Sequence, residues 1–427
     1  MMEVKTKFAW LEEVFKQAVK AVKPAQFMQD VCADLHGKVP DKARHILAVG
    51  KAAGQMASGY FAAGGTAESA LIIVPDNVAC SVPKGAPSDT KIIHAAHPVP
   101  NQASEKAARA ALALAESLGP EGHLICLLSG GGSALLSLGS GAITLPEKQQ
   151  MNQALLASGA PIEEVNIVRK HLSAIKGGRL AKAAMPASVF TYALSDVPGD
   201  VPSAIASGPT VGDSSTSQDA LTVLKKYNIT PSQAITTHLQ DHASESPFPE
   251  EACFAHGEFH IVASAMTALQ KIADALAAAG YVPHILGDDF QDDANHLAYD
   301  MAEKAKLAPA GTALISGGEA SVRVNGTGSG GRCSQFAHQM ALLAIKDVAG
   351  IACDSDGIDG AAPVAGAYFD DSSLARAEAL GLDAAAMLSN NDSHRFFKSL
   401  GDQIITGPTE TNVNDLRIIL VGKPQIS

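Results

Sequence analysis

Apolar and polar positions along this chain follow two alternating periods. Continuous apolar runs of strand length occur at residues 45–50, 70–74, 91–95, 123–128 and 187–194. Between them lie longer stretches with helix-like composition, such as the Ala-rich segment 101–118. Asn101 is predicted to cap that helix. Thr144-Leu145-Pro146-Glu147 reads as a capping box with Pro at the first helical position. Strand, loop and helix in repeated succession predict a mainly parallel sheet with helices on both faces.

From about 213 to 258 this rhythm fades, and Ser, Thr, Gln and Pro become frequent. It resumes with predicted strands at 259–263, 281–286 and 312–316 and helices at 265–279 and 294–306. The spacing therefore predicts two α/β domains, residues 1–240 and 255–427, within the length range of such pairs.

Composition narrows the class. The chain has 427 residues, 46% apolar and 18% charged, as in a globular enzyme. No apolar run reaches the roughly 20 residues of a membrane span. The first residues carry charge where a signal peptide would be apolar, so a cytoplasmic location is expected. A net charge of −12 disfavours nucleic acid and acidic membranes as partners. A small anion could bind only where Lys and Arg are concentrated. Six cysteines show no C-x-x-C spacing. Cys126 and Cys353 fall in apolar runs and read as buried, reduced thiols. The histidines show no zinc spacing, and His97 and His171 read as ordinary core or surface residues.

Ligands of open α/β sheets bind beyond the carboxyl ends of the strands. Lys51 follows the first strand at a helix start, where an anion would be favoured. An exposed lysine on a turn fits as well. Ser129-Gly130-Gly131-Gly132-Ser133 follows another strand, either as a nest of anion-binding N–H groups or as a tight turn. In 165–179, Val165, Val168, Leu172 and Ile175 form an apolar face. Asn166, Arg169, Lys170 and Ser173 share another, and Lys176 and Arg179 extend it past two glycines. That basic cluster suits carboxylate or phosphate capture, or simply a solvated face. Asp196 ends a strand and could hold Mg²⁺, accept a hydroxyl proton, or cap a turn. Asp354, Asp356 and Asp359 resemble the start of a calcium loop, but the terminal acid is missing, so magnesium with phosphate oxygens is the better use.

The stretch Gly326-Thr327-Gly328-Ser329-Gly330-Gly331-Arg332 admits two enzymes. Gly326, Gly328 and Gly331 match the dinucleotide fingerprint, and Asp354 follows about 20 residues later. The predicted strand before it, 321–325, contains Arg323 and ends in Asn325, unlike a buried first strand. A P-loop would need Lys and then Ser or Thr, where this chain has Arg332 and Cys333. A phosphate cradle of another type stays open.

The ordered set GKAA, LLSGGGSALL, VNIVRKHLSAIKGGRLA, LSDVPGDVPSAIASGPTVGD, ISGGEASV, GSGGR, DSDGIDGAAPVAGA and TGPTETNVNDL spans nearly the whole chain. It closely resembles the glycerate 2-kinase family, whose C-terminal part is the MOFRL domain and whose members have often been labelled hydroxypyruvate reductase. The resemblance implies a larger Rossmann-like α/β/α domain, a smaller MOFRL-type α/β domain and an active site in the cleft between them. It implies phosphorylation of D-glycerate to 2-phospho-D-glycerate with ATP and Mg²⁺, the alternative being an NAD(P)H-dependent hydroxypyruvate reductase. D-glycerate and ATP are then the partners of a monomer or homodimer. By matching position it points to Lys51, Ser129–Ser133, Asn166, Arg169, Lys170, Lys176, Asp196, Glu319, Arg332, Asp356 and Asn412. Lys51, Asp196, Arg169 and Lys170 are expected to be catalytic, and Ser129–Ser133, Asn166 and Lys176 to bind substrate. Gly326, Gly328, Gly330, Gly331, Arg332 and Asn412 are expected on ATP, and Asp196, Glu319 and Asp356 on the metal. After Arg332 the chain has Cys333-Ser334-Gln335 where the family commonly has Asn-Gln-Glu, so no role resting on those residues is carried over.

Overall fold

The computed structural model describes residues 2–241 and 244–424. The chain folds as two α/β units. One is Pro24–Val262; the other joins the residues up to Lys23 to the chain from Ala263 onward.

In the first unit, β1 (Arg44–Val49), β2 (Ser69–Pro75), β3 (Lys91–Ala95), β4 (His123–Leu128), β5 (Ser188–Leu194) and β6 (Glu258–Ala263) form one sheet in the order β3-β2-β1-β4-β5-β6. The pairs β2–β3, β1–β2, β1–β4 and β4–β5 are parallel, as the apolar rhythm predicts. Leu47, Val49, Leu71, Ile73, Leu124, Cys126 and Leu128 build a core against helix Gln102–Glu116. The order reverses between β1 and β4, the switch point where such sheets leave a crevice. Asn101 caps helix Gln102–Glu116 by accepting from Ala103 N and Ser104 N. Thr144 and Glu147 make the predicted capping box of helix Leu145–Ala157.

The second unit does not repeat the parallel order of the first. Its strands are β7 (Val282–Gly287), β8 (Thr312–Gly318), β9 (Val348–Asp354), β10 (Gly366–Asp370), β11 (Gln403–Ile404) and β12 (Asp415–Val421). They lie in the order β11-β10-β9-β12-β8-β7. Only β7 and β8 pair parallel; β12 inserts antiparallel between β8 and β9, and β10 runs antiparallel to both β9 and β11. The cause is connection length. The link from β9 to β10 holds no helix and cannot make a parallel crossover.

Three other expectations change. The segment 259–263, expected to open the second domain, is β6 and lies beside β5. Helix Met2–Ala21, expected within a domain 1–240, groups with the second unit. Its Leu11 and Phe15 are buried, and Trp10 stacks on Tyr281 with centroids 6.1 Å apart. The predicted strand 321–325 is absent apart from a single bridge at Ser321, and Val324 is exposed. Five residues carrying Arg323 and Asn325 bury too little apolar surface to hold a strand. All six cysteines are free, and burial pushes the Cys126 thiol up to about 12. Among the described residues no helix is long and apolar enough to cross a membrane.

Candidate active site

At the β1/β4 switch point the two strand-end loops are hydrogen-bonded to each other. Lys51 N donates to Gly130 O at 2.8 Å, and Ala52 N to Ser129 Oγ at 3.0 Å. Gly131 has φ 86°, a left-handed conformation that glycine adopts without strain, and it leads into the short helix Gly132–Leu135. A Cβ at Gly131 would lie 3.0 Å from the His97 ring and 3.5 Å from Lys51 Cγ. The Asp196 carboxylate, just beyond β5, covers Gly130 so closely that a Cβ there would force the carboxylate to move. Lys51, Ser129–Ser133 and Asp196, expected from separate loops, therefore meet. Ser133 Oγ is 2.7 Å from Ser207 Oγ, and Ala206 and Ser207 both hold positive φ, 51° and 60°. Non-glycine residues in that region are strained and persist only where the surroundings hold them.

Beside this turn opens a cavity of about 280 Å³. Helix Leu145–Ala157 contributes Lys148, Met151, Asn152 and Leu155. The segment after it contributes Val168, Arg169, Leu172 and Lys176, and the turn adds Gly131, Ser133, Ala134 and Ser137. His97, Pro98 and Pro100 complete the wall. Arg169 is half-buried, its Nε donating to Asn152 Oδ1 at 2.6 Å. Lys176 is buried and donates to Ser133 O at 2.6 Å and Leu136 O at 2.8 Å. Burial, then the charges of Lys148 and Arg169, hold the Lys176 ammonium well below its usual range. Lys148 donates to Leu138 O at 2.9 Å. Burial and then Arg179 lower it to about 7, with Glu105 acting the other way. Among the described residues no carboxylate lines the cavity.

Lys170 and Asn166 do not join this wall. Lys170 Nζ forms a 2.5 Å ion pair with the fully buried Asp213, whose Oδ1 also accepts from Ser215 Oγ at 2.7 Å. Burial opposes the charge on Asp213, but Lys170 and Ser215 hold it below the usual carboxylate range. Adjacent positions on a helix point in different directions, so Arg169 reaches the cavity and Lys170 reaches Asp213. Asn166 is buried and absent from the lining.

In the second unit the glycine loop is bound internally. Gly326 N donates to Asn391 Oδ1 at 3.0 Å, Thr327 N to Asn390 Oδ1 at 3.0 Å, and Gly328 N to Asn390 O at 2.9 Å. Gly331 N donates to Ser334 Oγ at 3.1 Å, and Gly330 has φ 151°. A Cβ at Gly328 would lie 2.6 Å from the Asn390 carbonyl and from Asp392, so glycine is needed here for close approach. The N-terminus of helix Arg332–Leu343 is capped by buried Asp359, which accepts from Cys333 N at 2.9 Å, Ser334 N at 2.8 Å and Ser334 Oγ. The expected phosphate cradle is thus already filled by Asn and Asp side chains. Arg332, expected on ATP, is engaged as well. Its Nε pairs with Asp415 at 2.6 Å, its Nη2 with Asp354 at 2.7 Å, and its Nη1 faces Glu319 at 3.5 Å. Against burial, Asp415 and Asp354 raise its pKa. The departure from the family pattern is absorbed locally: Cys333 Sγ donates to Asp415 Oδ1 at 3.3 Å.

The dinucleotide reading fails on the same geometry, because the loop follows no strand and Asp354 is bound to Arg332. Glu319 follows β8, Asp356 follows β9 and Asn412 precedes the antiparallel β12, which puts all three at the same end of these neighbouring strands. Glu319 is exposed and Asp356 half-buried. Asn412 Oδ1 accepts from Asn414 N at 2.9 Å.

Sequence reasoning missed Lys148, Asn152, Asp213 and Asp415, read Asp359 as a magnesium carboxylate where it caps a helix, and gave His97 no role. A signal existed for two of them. Positions 148, 151, 152 and 155 share one helical face, at i, i+3, i+4 and i+7.

Fold and site together define a two-unit α/β protein with a cationic, acid-free cavity beside a glycine turn at a sheet switch point. A family model described as a domain of unknown function (DUF4147) matches residues 10–240, and the MOFRL family matches 312–415. The chain is 35% identical to the D-glycerate 2-kinase of Thermotoga maritima, over 96% of this chain and 97% of that one. It is 43% identical, over 88% of this chain and 87% of the relative, to an Agrobacterium vitis protein provisionally named hydroxypyruvate reductase. The crystal structure of a Thermotoga maritima glycerate kinase matches with a TM-score of 0.88 at 34% identity, covering 98% of this chain and all of that one. This chain belongs to the MOFRL-domain glycerate kinase family.

Proposed function

We propose that the protein is a glycerate 2-kinase, transferring the γ-phosphoryl group of ATP to the 2-hydroxyl of D-glycerate. The observation that carries this reading is the cavity where Arg169, Lys148 and Lys176 face a small space without a carboxylate, next to the Ser129–Ser133 turn. A small hydroxy acid matches it: the carboxylate meets the cations, and the hydroxyl lies toward the turn.

Phosphoryl transfer needs alignment and charge stabilisation more than covalent help. In this reading the Arg169 guanidinium, oriented by Asn152, holds the substrate carboxylate. Lys176 spends two of its three donors on the carbonyls of Ser133 and Leu136, so it fixes the turn against the cavity. Lys51 and the backbone N–H groups of Gly130–Gly132 face the transferring phosphoryl group. Asp196 accepts the hydroxyl proton.

Magnesium commonly takes one or two carboxylates plus phosphate oxygens, and would neutralise charge on the nucleotide phosphates. Glu319 and Asp356 suit that use, as does Asp196. Asp354 and Asp415 do not, since both are buried in close ion pairs with Arg332, whereas Glu319 meets it only at 3.5 Å and is exposed. Asn412 stays a candidate for a nucleotide contact.

Phosphorus NMR of the product from D-glycerate, ATP and Mg²⁺ tests the reading. The 2-phosphate is expected, and no NADH oxidation with hydroxypyruvate. A 3-phosphate, or hydroxypyruvate reduction without ADP release, overturns it.

A further inference from the structure

Lys148 is placed at a threefold electrostatic disadvantage. It sits in the first turn of helix Leu145–Ala157, near the positive end of the helix dipole. It shares a cavity with Arg169 and Lys176. Among the described residues its ammonium donates one hydrogen bond, to the neutral carbonyl of Leu138 at 2.9 Å. The neighbouring Glu147 is turned to Thr144 and to Ser232, at 2.6 Å, and makes no ion pair with it. Such a cation is stabilised when an anion enters the cavity. Lys148 and Asn152 are i and i+4 on one helical face, and Asn152 orients Arg169, so the ammonium and the guanidinium line the same cavity. An ammonium has three donors, and Lys148 has two to offer a ligand.

We propose that Lys148 is a second ligand of the substrate carboxylate, together with Arg169 of the same cavity, and that its protonation sets the affinity of the cavity for hydroxy acids. This rests on the kinase reading of the same cavity. The charged groups that act on it are Arg169, Lys176 and Arg179, with His97 in the same wall and Glu105 favouring its charge. A hydroxy acid is anionic throughout the neutral range, so the pH dependence of this contact follows the charge on Lys148, with Lys176 and His97 titrating in the same wall. Burial, then Arg179, lower the pKa of Lys148 to about 7 against the pull of Glu105. The charged form prevails below that value and is lost above it. Affinity for the carboxylate is therefore highest on the acid side and falls as pH rises through neutrality.

The test measures the KM for D-glycerate at saturating ATP and Mg²⁺ from about pH 6 to about pH 9, in the wild type, Lys148→Met and Lys148→Arg. In the wild type KM is expected to rise across neutrality. Lys148→Met should raise KM at least about tenfold on the acid side, with a smaller fall in kcat, and flatten the profile. Lys148→Arg, whose guanidinium stays charged, should keep KM low on the alkaline side. A Lys148→Met KM within about twofold of wild type on the acid side, or a Lys148→Arg profile that rises like the wild type, overturns the proposal. Calorimetric binding of D-glycerate to the same folded proteins separates the two readings. If the wild type binds D-glycerate tightly and Lys148→Met does not, the assignment stands even where no phosphoryl transfer is found. Equal binding by both sinks it.

Discussion

Two lysines from one basic cluster meet opposite fates. Lys170 is neutralised by buried Asp213, whereas Lys176 lines the cavity without a carboxylate partner. Lys170→Met strands the Asp213 charge and should cost about 3–5 kcal/mol in denaturant unfolding. Asp213 has a depressed folded pKa, so its stabilising share is full above the ordinary carboxylate value and is lost as pH falls through the lowered one. That acid-side dependence should weaken in Lys170→Met; an unchanged profile would show the pair to be inert. Lys51 is exposed, so Lys51→Ala should leave folding intact while lowering kcat at least about tenfold, roughly 1.4 kcal/mol of barrier. Unaltered turnover would remove it from the phosphoryl site. Lys51, the serine-glycine turn and Asp196 were legible in the sequence because a strand end places its next residues by local geometry. Lys148 was not, because a helical period identifies a face but not what that face meets.

Among the elements, the glycine loop separates motif from mechanism. Its spacing fits a dinucleotide site and part of a P-loop, yet its N–H groups donate to Asn390, Asn391 and Asp392. The glycines serve close approach to that segment. Gly328→Ala puts a methyl group against Asp392 and should destabilise the protein by about 1–3 kcal/mol, seen as a lower melting temperature. The KM for ATP should stay as in the wild type. A raised ATP KM at unchanged melting temperature would restore the phosphate-cradle reading. The first sheet shows the reverse case, in which β1, β4 and β5 each deliver a site loop as their apolar runs predict.

At the scale of the whole molecule, helix Met2–Ala21 groups with the part of the chain that begins at Ala263. Trp10 is the single tryptophan and stacks on Tyr281, so its fluorescence reports that unit. Phe15 is fully buried, and Phe15→Ala should cost about 3–5 kcal/mol, moving the Trp10 denaturation midpoint down. A midpoint that ignores Phe15→Ala would detach the helix from this unit. By itself the sequence determined the parallel order-forming runs of the first sheet, the caps at Asn101 and Thr144, the strand-end loops and the kinase family. Those features depend on residues only a few positions apart, whose turn chemistry and periodicity act locally. Tertiary structure alone decided that β6 joins the first sheet, that β12 inserts antiparallel between β8 and β9, and that Asp213 and Asp415 claim Lys170 and Arg332, which were expected on ligands. Those outcomes follow from burying apolar faces and pairing charges between segments far apart in the chain, which no local pattern encodes.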